Sequence, residues 1–130
     1  DRKGLATAFA SASETVRDRR GDCTEHAVLL AAALRSKGIG SRVVNGLVWI
    51  PAGGGRDGTY LWHMWTQAVI DGRWTDLDAT LPPDGPGFHA GHLAINTGDL
   101  SPASFNATGT GMLEVFGAID ITILDGATRP

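Results

Sequence analysis

The sequence predicts an α+β domain, a helix covered on most sides followed by strands that include a β-hairpin. Three observations carry this. An apolar run from Ala27 to Leu34 follows directly on Gly21-Asp22-Cys23-Thr24-Glu25-His26, a stretch with the residue types of a helix start. Two β-prone runs, Tyr60 to Ile70 and Arg73 to Asp78, are separated only by Asp71-Gly72, the signature of a type I′ hairpin. Finally, the helical patterns come first and the strand patterns follow, rather than alternating as a parallel sheet would require.

In chain order, Leu5 to Arg17 places Leu5, Ala6, Phe9, Ala10, Ala12 and Val16 at roughly helical spacing, which predicts a short amphipathic helix before the charged link Arg17-Asp18-Arg19-Arg20. The second helix is predicted from Cys23 to Ser36. Asp22 is its N-cap, and Glu25, three positions on, can reach back to the cap's amide as in a capping box. Its positions are apolar nearly all round, so it is expected to be covered on most sides. Gly38 and Gly40 end it. Arg42 to Ile50, rich in Val, Leu, Ile and Trp, reads as a strand, and the Pro/Gly-rich stretch Pro51 to Thr59 as an exposed, mobile hairpin loop. That loop has consecutive glycines but lacks the Gly-Lys-Ser/Thr of a phosphate cradle. Past Thr80, the segment from Leu81 to Ser101 reads as a long loop of a length that suits covering a site. A short helix is expected around Gly111 to Phe116. A final strand is expected from Ala118 to Leu124, where Ile119, Ile121 and Ile123 alternate with polar residues.

A chain of 130 residues fits one domain able to bury its own core. With 19% charged residues and a net charge of -3 it has no basic footprint for nucleic acid. One cysteine excludes an internal disulfide framework, and no apolar run approaches the ~20 residues of a membrane span. The chain opens on Asp1 without an initiator Met or a signal-like leader, so it reads as a single domain, 1–130, excised from or processed out of a longer protein. An extracytoplasmic location is compatible with this, and the compartment stays undetermined.

The chemistry centres on Cys23. At the first turn of a capped helix the thiol sits beside free N–H groups and the positive end of the helix dipole, an environment that can lower a cysteine pKa from ~8.5 to roughly 3.5–7.5. The hairpin supplies the partners. If Ile70 pairs with Arg73, Trp65 faces Asp78 and His63 faces Thr80, so His63, Trp65, Asp76 and Asp78 share one face. Asp78 is then the diagonal neighbour of His63, whereas Asp76 lies too far along without a bend in the strand. Cys23 as nucleophile, His63 as general base and Asp78 as its orienting carboxylate are the parts of a triad. The backbone N–H of Cys23 is the natural first oxyanion donor, and Ser13 is a candidate second.

Other readings compete. Cys23, His26, His63 and Asp78 offer S, N and O ligands, but a second cysteine is missing, and no metal or other cofactor is expected. His26 reads as a polar neighbour on the helix. His89 and His92 fall in the Gly/Pro-rich loop, where a solvated loop or a hydrogen-bonded His92 tucked near the site is expected. Of Trp49, Trp62, Trp65 and Trp74, most are expected in the core, with Trp65 able to wall the cleft.

The motifs Gly21-Asp22-Cys23, His63-Met64-Trp65 and Gly72-Arg73-Trp74-Thr75-Asp76-Leu77-Asp78-Ala79-Thr80 occur in that order, with Gly38 to Gly46 between them as a helix-to-strand link. On these residues the chain resembles the transglutaminase-like superfamily of papain-fold thiol enzymes, in particular its bacterial branch, over about residues 4 to 80. The resemblance implies a papain-like core, a buried central helix packed against an antiparallel β-sheet, with the triad at the junction of helix and sheet. It also implies thiolate attack on an amide, a thioester intermediate, and release to water or to an amine. Thr24 stands where animal-type transglutaminases have Trp, and their calcium-binding segments and accessory domains do not fit here, so crosslinking is not implied. The expected activity is a thiol-dependent amide hydrolase or acyltransferase, peptidase-like before crosslinking, acting on a peptide or protein amide with an amine as the optional acceptor. The competing expectation is a catalytically silent module that binds a peptide or partner domain in the same cleft.

Overall fold

The computed structural model describes residues 22–53, 55, 57–85, 87–115 and 118–122. The expected helix from Leu5 to Arg17 and the candidate donor Ser13 lie outside them. The described chain runs α1 (Cys23–Ser36), β1 (Ser41–Ile50), β2 (Thr59–Ile70), β3 (Arg73–Leu77), β4 (His92–Gly98) and α2 (Pro102–Val115). The strands form one antiparallel sheet in the order β3-β2-β1-β4. The architecture is α+β, as the helix-first, strands-later pattern predicts.

Helix α1 begins and ends on local chemistry. The Asp22 carboxylate accepts the Thr24 amide at 2.9 Å, and the Glu25 carboxylate accepts the Asp22 amide at 2.9 Å, completing the capping box. At the other end Gly38 takes φ 76°, its amide donates to the Arg35 carbonyl at 2.9 Å, and the Ile39 amide donates to the Leu34 carbonyl at 3.0 Å. This pair of bonds is a Schellman closure, which needs a left-handed residue and so a glycine. The Arg35 guanidinium then ties the helix end to the sheet through the Ser41 and Asp99 carbonyls, at 2.7 and 2.9 Å.

Alternation along β2 sorts its side chains onto two faces. Met64, Thr66 and Ala68 are buried on the face that meets α1, where Ala27, Ala31, Val43 and Met64 form the core with Cys23 and Leu100 packed against it. Small alanines let the helix approach closely enough for two side chains of the sheet to bond its backbone. Ser41 donates to the Ala31 carbonyl and Thr66 to the Ala27 carbonyl, each at 2.9 Å. Among the described positions α1 buries Glu25, Ala27 and Ala31, while Val28, Leu29, Leu30 and Ala32 are partly exposed.

The hairpin forms in the predicted register. Ile70 pairs with Arg73 and Thr66 with Leu77, and Asp71 and Gly72 take φ 51° and 74°, the two positive values a type I′ turn demands. The expected loop beyond Thr80 is partly a strand. β4 pairs with β1, with a one-residue slip between Asn45 and Gly46 that leaves Ile95 outside the ladder. The second helix starts earlier than expected, at Pro102, where Ser101 caps it by accepting the Ser104 amide at 3.2 Å.

Two expectations need correction. Residues 118–122 form no strand, and 123–124 lie outside the described residues. Ile119 and Ile121 instead line a cavity of about 400 Å³ with Leu47, Tyr60, Leu61, Trp62 and Val115, and Ile119 is exposed. Nor are most tryptophans core. Trp65 is buried, Trp49 and Trp62 are half-buried, and Trp74 is 46% exposed on edge strand β3, its ring covered by the Arg42 guanidinium 4.1 Å away.

Candidate functional site

The N-terminus of α1, the middle of β2, the residues just past β3 and the start of β4 converge. Pairing between β2 and β3 stops at Thr66↔Leu77, so the β2 backbone at His63 and Met64 has no β3 partner on that side. Cys23 meets β2 there. There the His63 ring and the Met64 backbone N–H act on its thiol.

These contacts set the charge of the sulfur. The hydrogen bond with His63 lowers the Cys23 pKa, burial works against it, and the Met64 amide and the charge on His63 add to the lowering, while the Asp22 charge opposes it weakly. On its far side the His63 ring meets a carboxylate, with Nε2 2.6 Å from Oδ2 of Asp78. That leaves Nδ1 as the nitrogen able to address the sulfur. Burial pulls the imidazole pKa down, but the bonds to Asp78 and to Cys23 outweigh it and hold His63 at about 9. Burial likewise pushes Asp78 up, yet the donors His63, Thr80 and His92 keep its carboxyl well below the usual carboxylate range. These partners therefore shift Cys23 toward thiolate, His63 toward imidazolium and Asp78 toward carboxylate.

Asp78 follows directly on β3 and is fixed by its own turn. Oδ1 accepts the Thr80 amide at 2.9 Å and the Thr80 hydroxyl at 2.6 Å. Oδ2 carries a second imidazole besides His63, with Nε2 of His92 at 3.1 Å. The side chains of Asp78 and His92 are 1% and 0% exposed, and that of His63 is 10% exposed. Behind them Trp65 meets His92 edge-on at 5.3 Å between ring centroids, and Phe88 stacks on His92 at 4.2 Å. Trp65 is 1% exposed, so it backs the histidines rather than walling an open cleft.

The sequence expectations divide cleanly here. Cys23, His63 and Asp78 are brought together, and Asp76 is directed elsewhere, to Trp65 and Gln67. His26 is exposed and bonds the Asp22 carbonyl through Nδ1 at 2.6 Å. It is absent from the one group of metal-capable side chains among the described residues, His63, Asp78 and His92, whose ligand atoms lie within 4.8 Å of one another. The proposed Cys-x-x-His ligand set is thus not assembled. Tetrahedral zinc ligands at ~2.0–2.1 Å from the ion stand roughly 3.3 Å apart. The 2.6 Å between His63 and Asp78 is instead the length of a charge-assisted hydrogen bond. His89 bonds within its own loop, Nδ1 accepting the Gly91 amide at 3.1 Å.

His92 is the residue that the sequence places least well. Its signal is the run His92-Leu93-Ala94-Ile95, in which a histidine heads an alternating apolar stretch inside a Pro/Gly-rich segment.

Among the described residues no helix is long and apolar enough to cross a membrane. No curated protein and no solved structure matches the chain. Its sequence does match the family model of the transglutaminase-like superfamily, over residues 3–79, which include Cys23, His63 and Asp78. A match over more than half of the 130 residues, on a helix start, a strand and a hairpin that meet in space, shows that this chain belongs to the transglutaminase-like superfamily.

Proposed function

We propose that this domain is a thiol-dependent amide hydrolase or acyltransferase in which Cys23 is the nucleophile, His63 the general base and acid, and Asp78 the group that orients His63. The observation that supports it most is the His63 ring, whose Nε2 lies 2.6 Å from Oδ2 of Asp78 and which lowers the pKa of the Cys23 thiol.

In this reading the Cys23 thiolate attacks the carbonyl carbon of a peptide or protein amide. The carbonyl π pair moves onto oxygen, where the Cys23 backbone N–H, a first-turn donor the helix leaves without an i−4 acceptor, stabilises the oxyanion. Collapse breaks the C–N bond. The departing amine takes the proton from the His63 imidazolium, leaving a Cys23 thioester and a neutral imidazole. Water then attacks the thioester while His63 takes its proton, and collapse releases a carboxylic acid and restores the thiolate–imidazolium pair. An amine in place of water gives acyl transfer by the same steps. Water is always present, so hydrolysis is the default outcome and transfer requires a bound acceptor.

The test is acylation by an activated ester such as p-nitrophenyl acetate, followed by mass spectrometry of the intact protein and its peptides. A hydroxylamine-labile acetyl group on Cys23, absent in Cys23→Ala and formed far more slowly in His63→Ala, is the expected result. A wild-type protein that acylates no faster than Cys23→Ala defeats the reading.

A further inference from the structure

Four donors hold the Asp78 carboxylate. Thr80 supplies two to Oδ1, His63 one to Oδ2, and His92 a second to Oδ2. The last is not needed to satisfy His63, and it comes from β4, outside the residues 3–79 that match the family. We propose that His92 is a positioning residue for the Cys23–His63 pair, fixing Oδ2 of Asp78 in line with Nε2 of His63 by donating its own Nε2–H to the same oxygen. This inference rests on the function proposed above.

The need arises from the aspartate itself. The terminal torsion of Asp, between sp³ and sp² atoms, has a broad, roughly two-fold profile. An Asp78 anchored at Oδ1 by Thr80 alone can swing Oδ2 off the imidazole axis, and a donor on Oδ2 from a second direction removes that freedom. His92 has the rigidity to do this. Its side chain is wholly buried, Phe88 stacks on its ring, Trp65 meets its edge, and its Nδ1 lies 3.1 Å from the His89 carbonyl. Its backbone is fixed by pairing with Val48 in the sheet and by its N–H, which donates to the His89 carbonyl at 3.1 Å. Among the described residues, the ionisable groups that face it are Asp78, His63 at 5.8 Å and His89 at 4.6 Å between ring centroids, and of these Asp78 is the anion.

The experiment is the iodoacetamide alkylation rate of Cys23 against pH in wild type, His63→Ala, His92→Phe and His92→Gln. Phenylalanine keeps the ring volume and loses the donor, whereas the glutamine amide can still donate. The expected result is a His92→Phe midpoint raised by roughly one pKa unit, about a tenfold loss of thiolate below the midpoint, with His92→Gln restored close to wild type. If His92→Phe superimposes on wild type while His63→Ala is displaced, the positioning role is overturned and the proposed function stands. If His63→Ala also superimposes on wild type, both fall. A measurement on the unmutated fold guards against misfolding of the variants. In ¹⁵N-histidine-labelled wild type, Nε2 of His92 is expected to carry a proton, held by its hydrogen bond to Asp78. An unprotonated Nε2 on His92 overturns the proposal whatever the variants do.

Discussion

Trp65 donates its indole N–H to Oδ1 of Asp76 at 2.8 Å, and this bond separates the duties of two aspartates that share one face of the hairpin. Gln67, the cross-strand partner of Asp76, donates to the same oxygen at 2.8 Å and accepts from Arg42 at 2.8 Å. Asp76 thus closes a polar network across β1, β2 and β3. Asp78 lies past the last β2–β3 pair, where the ladder no longer claims its neighbours and the diagonal contact with His63 opens.

Removing each carboxylate should therefore do different damage. Asp76→Ala strands the buried indole N–H of Trp65 and should destabilise the fold by about 1–3 kcal/mol while leaving the pH profile of Cys23 alkylation unchanged. Asp78→Asn should keep most of the stability yet lower Cys23 reactivity at neutral pH by about tenfold or more, since the imidazolium loses its counter-charge. Urea unfolding together with alkylation kinetics separates the two. Exchanged results would make Asp76 the orienting residue.

Linked protonation gives a second prediction. The His63 pKa rises from 6.5 to about 9 on folding, so its contribution to stability is complete below 6.5 and is lost as pH rises through about 9. Cys23 has the opposite sign. Its folded pKa lies below the ordinary 9.0, so its contribution is present above that value and is lost as pH falls through the folded pKa. Wherever the folded thiol is ionised between 6.5 and about 9, the unfolded chain carries one proton on the thiol and the folded chain one on the imidazole, and the two slopes cancel. Wild-type urea midpoints should be flat across that window, as far as this pair decides them. Cys23→Ala, keeping only the His63 contribution, should lose stability as pH rises above 6.5. A flat profile in Cys23→Ala would mean that Asp78 does not raise His63.

What was legible in the sequence is what local chemistry decides. The bounds of α1 follow from Asp22, Glu25 and Gly38, and the hairpin register from Asp71-Gly72, so Cys23, His63 and Asp78 can each be located from their immediate neighbours. β4 is not decided locally. Its partner is β1 rather than the preceding β3, no tight turn announces it, and the slip at Gly46 breaks its alternation around Ile95. His92 reaches Asp78 only through that pairing, which is why the sequence leaves it between a solvated loop and a hydrogen-bonded place near the site. The alternation of Ile119 and Ile121 misleads for the converse reason, because an alternating apolar pattern does not by itself supply a hydrogen-bonded neighbour.

Gly46 tests the crossing that brings β4 under the site. A Cβ built there collides with the Leu93 carbonyl and approaches the Trp65 ring to 2.8 Å. Gly46→Ala must push β4 or Trp65 aside, with an expected destabilisation of about 1–3 kcal/mol in urea unfolding. A neutral effect would mean that β4 is not held this close to β1.

The N-cap offers a way to tune the thiol without touching its partners. Asp22 does two things with opposite consequences for Cys23: its side chain accepts the Thr24 amide and holds the helix start in place, and its negative charge disfavours a second negative charge on the neighbouring sulfur. Asparagine keeps the first role and drops the second, since both residues cap helices about equally well. Asp22→Asn should leave the melting temperature nearly unchanged and shift the Cys23 alkylation midpoint to lower pH. Asp22→Ala loses the cap as well, and should cost about 0.5–2 kcal/mol of stability. An Asp22→Asn midpoint that moves upward would mean that the carboxylate acts on Cys23 mainly by holding the first turn in place, with its charge the lesser effect.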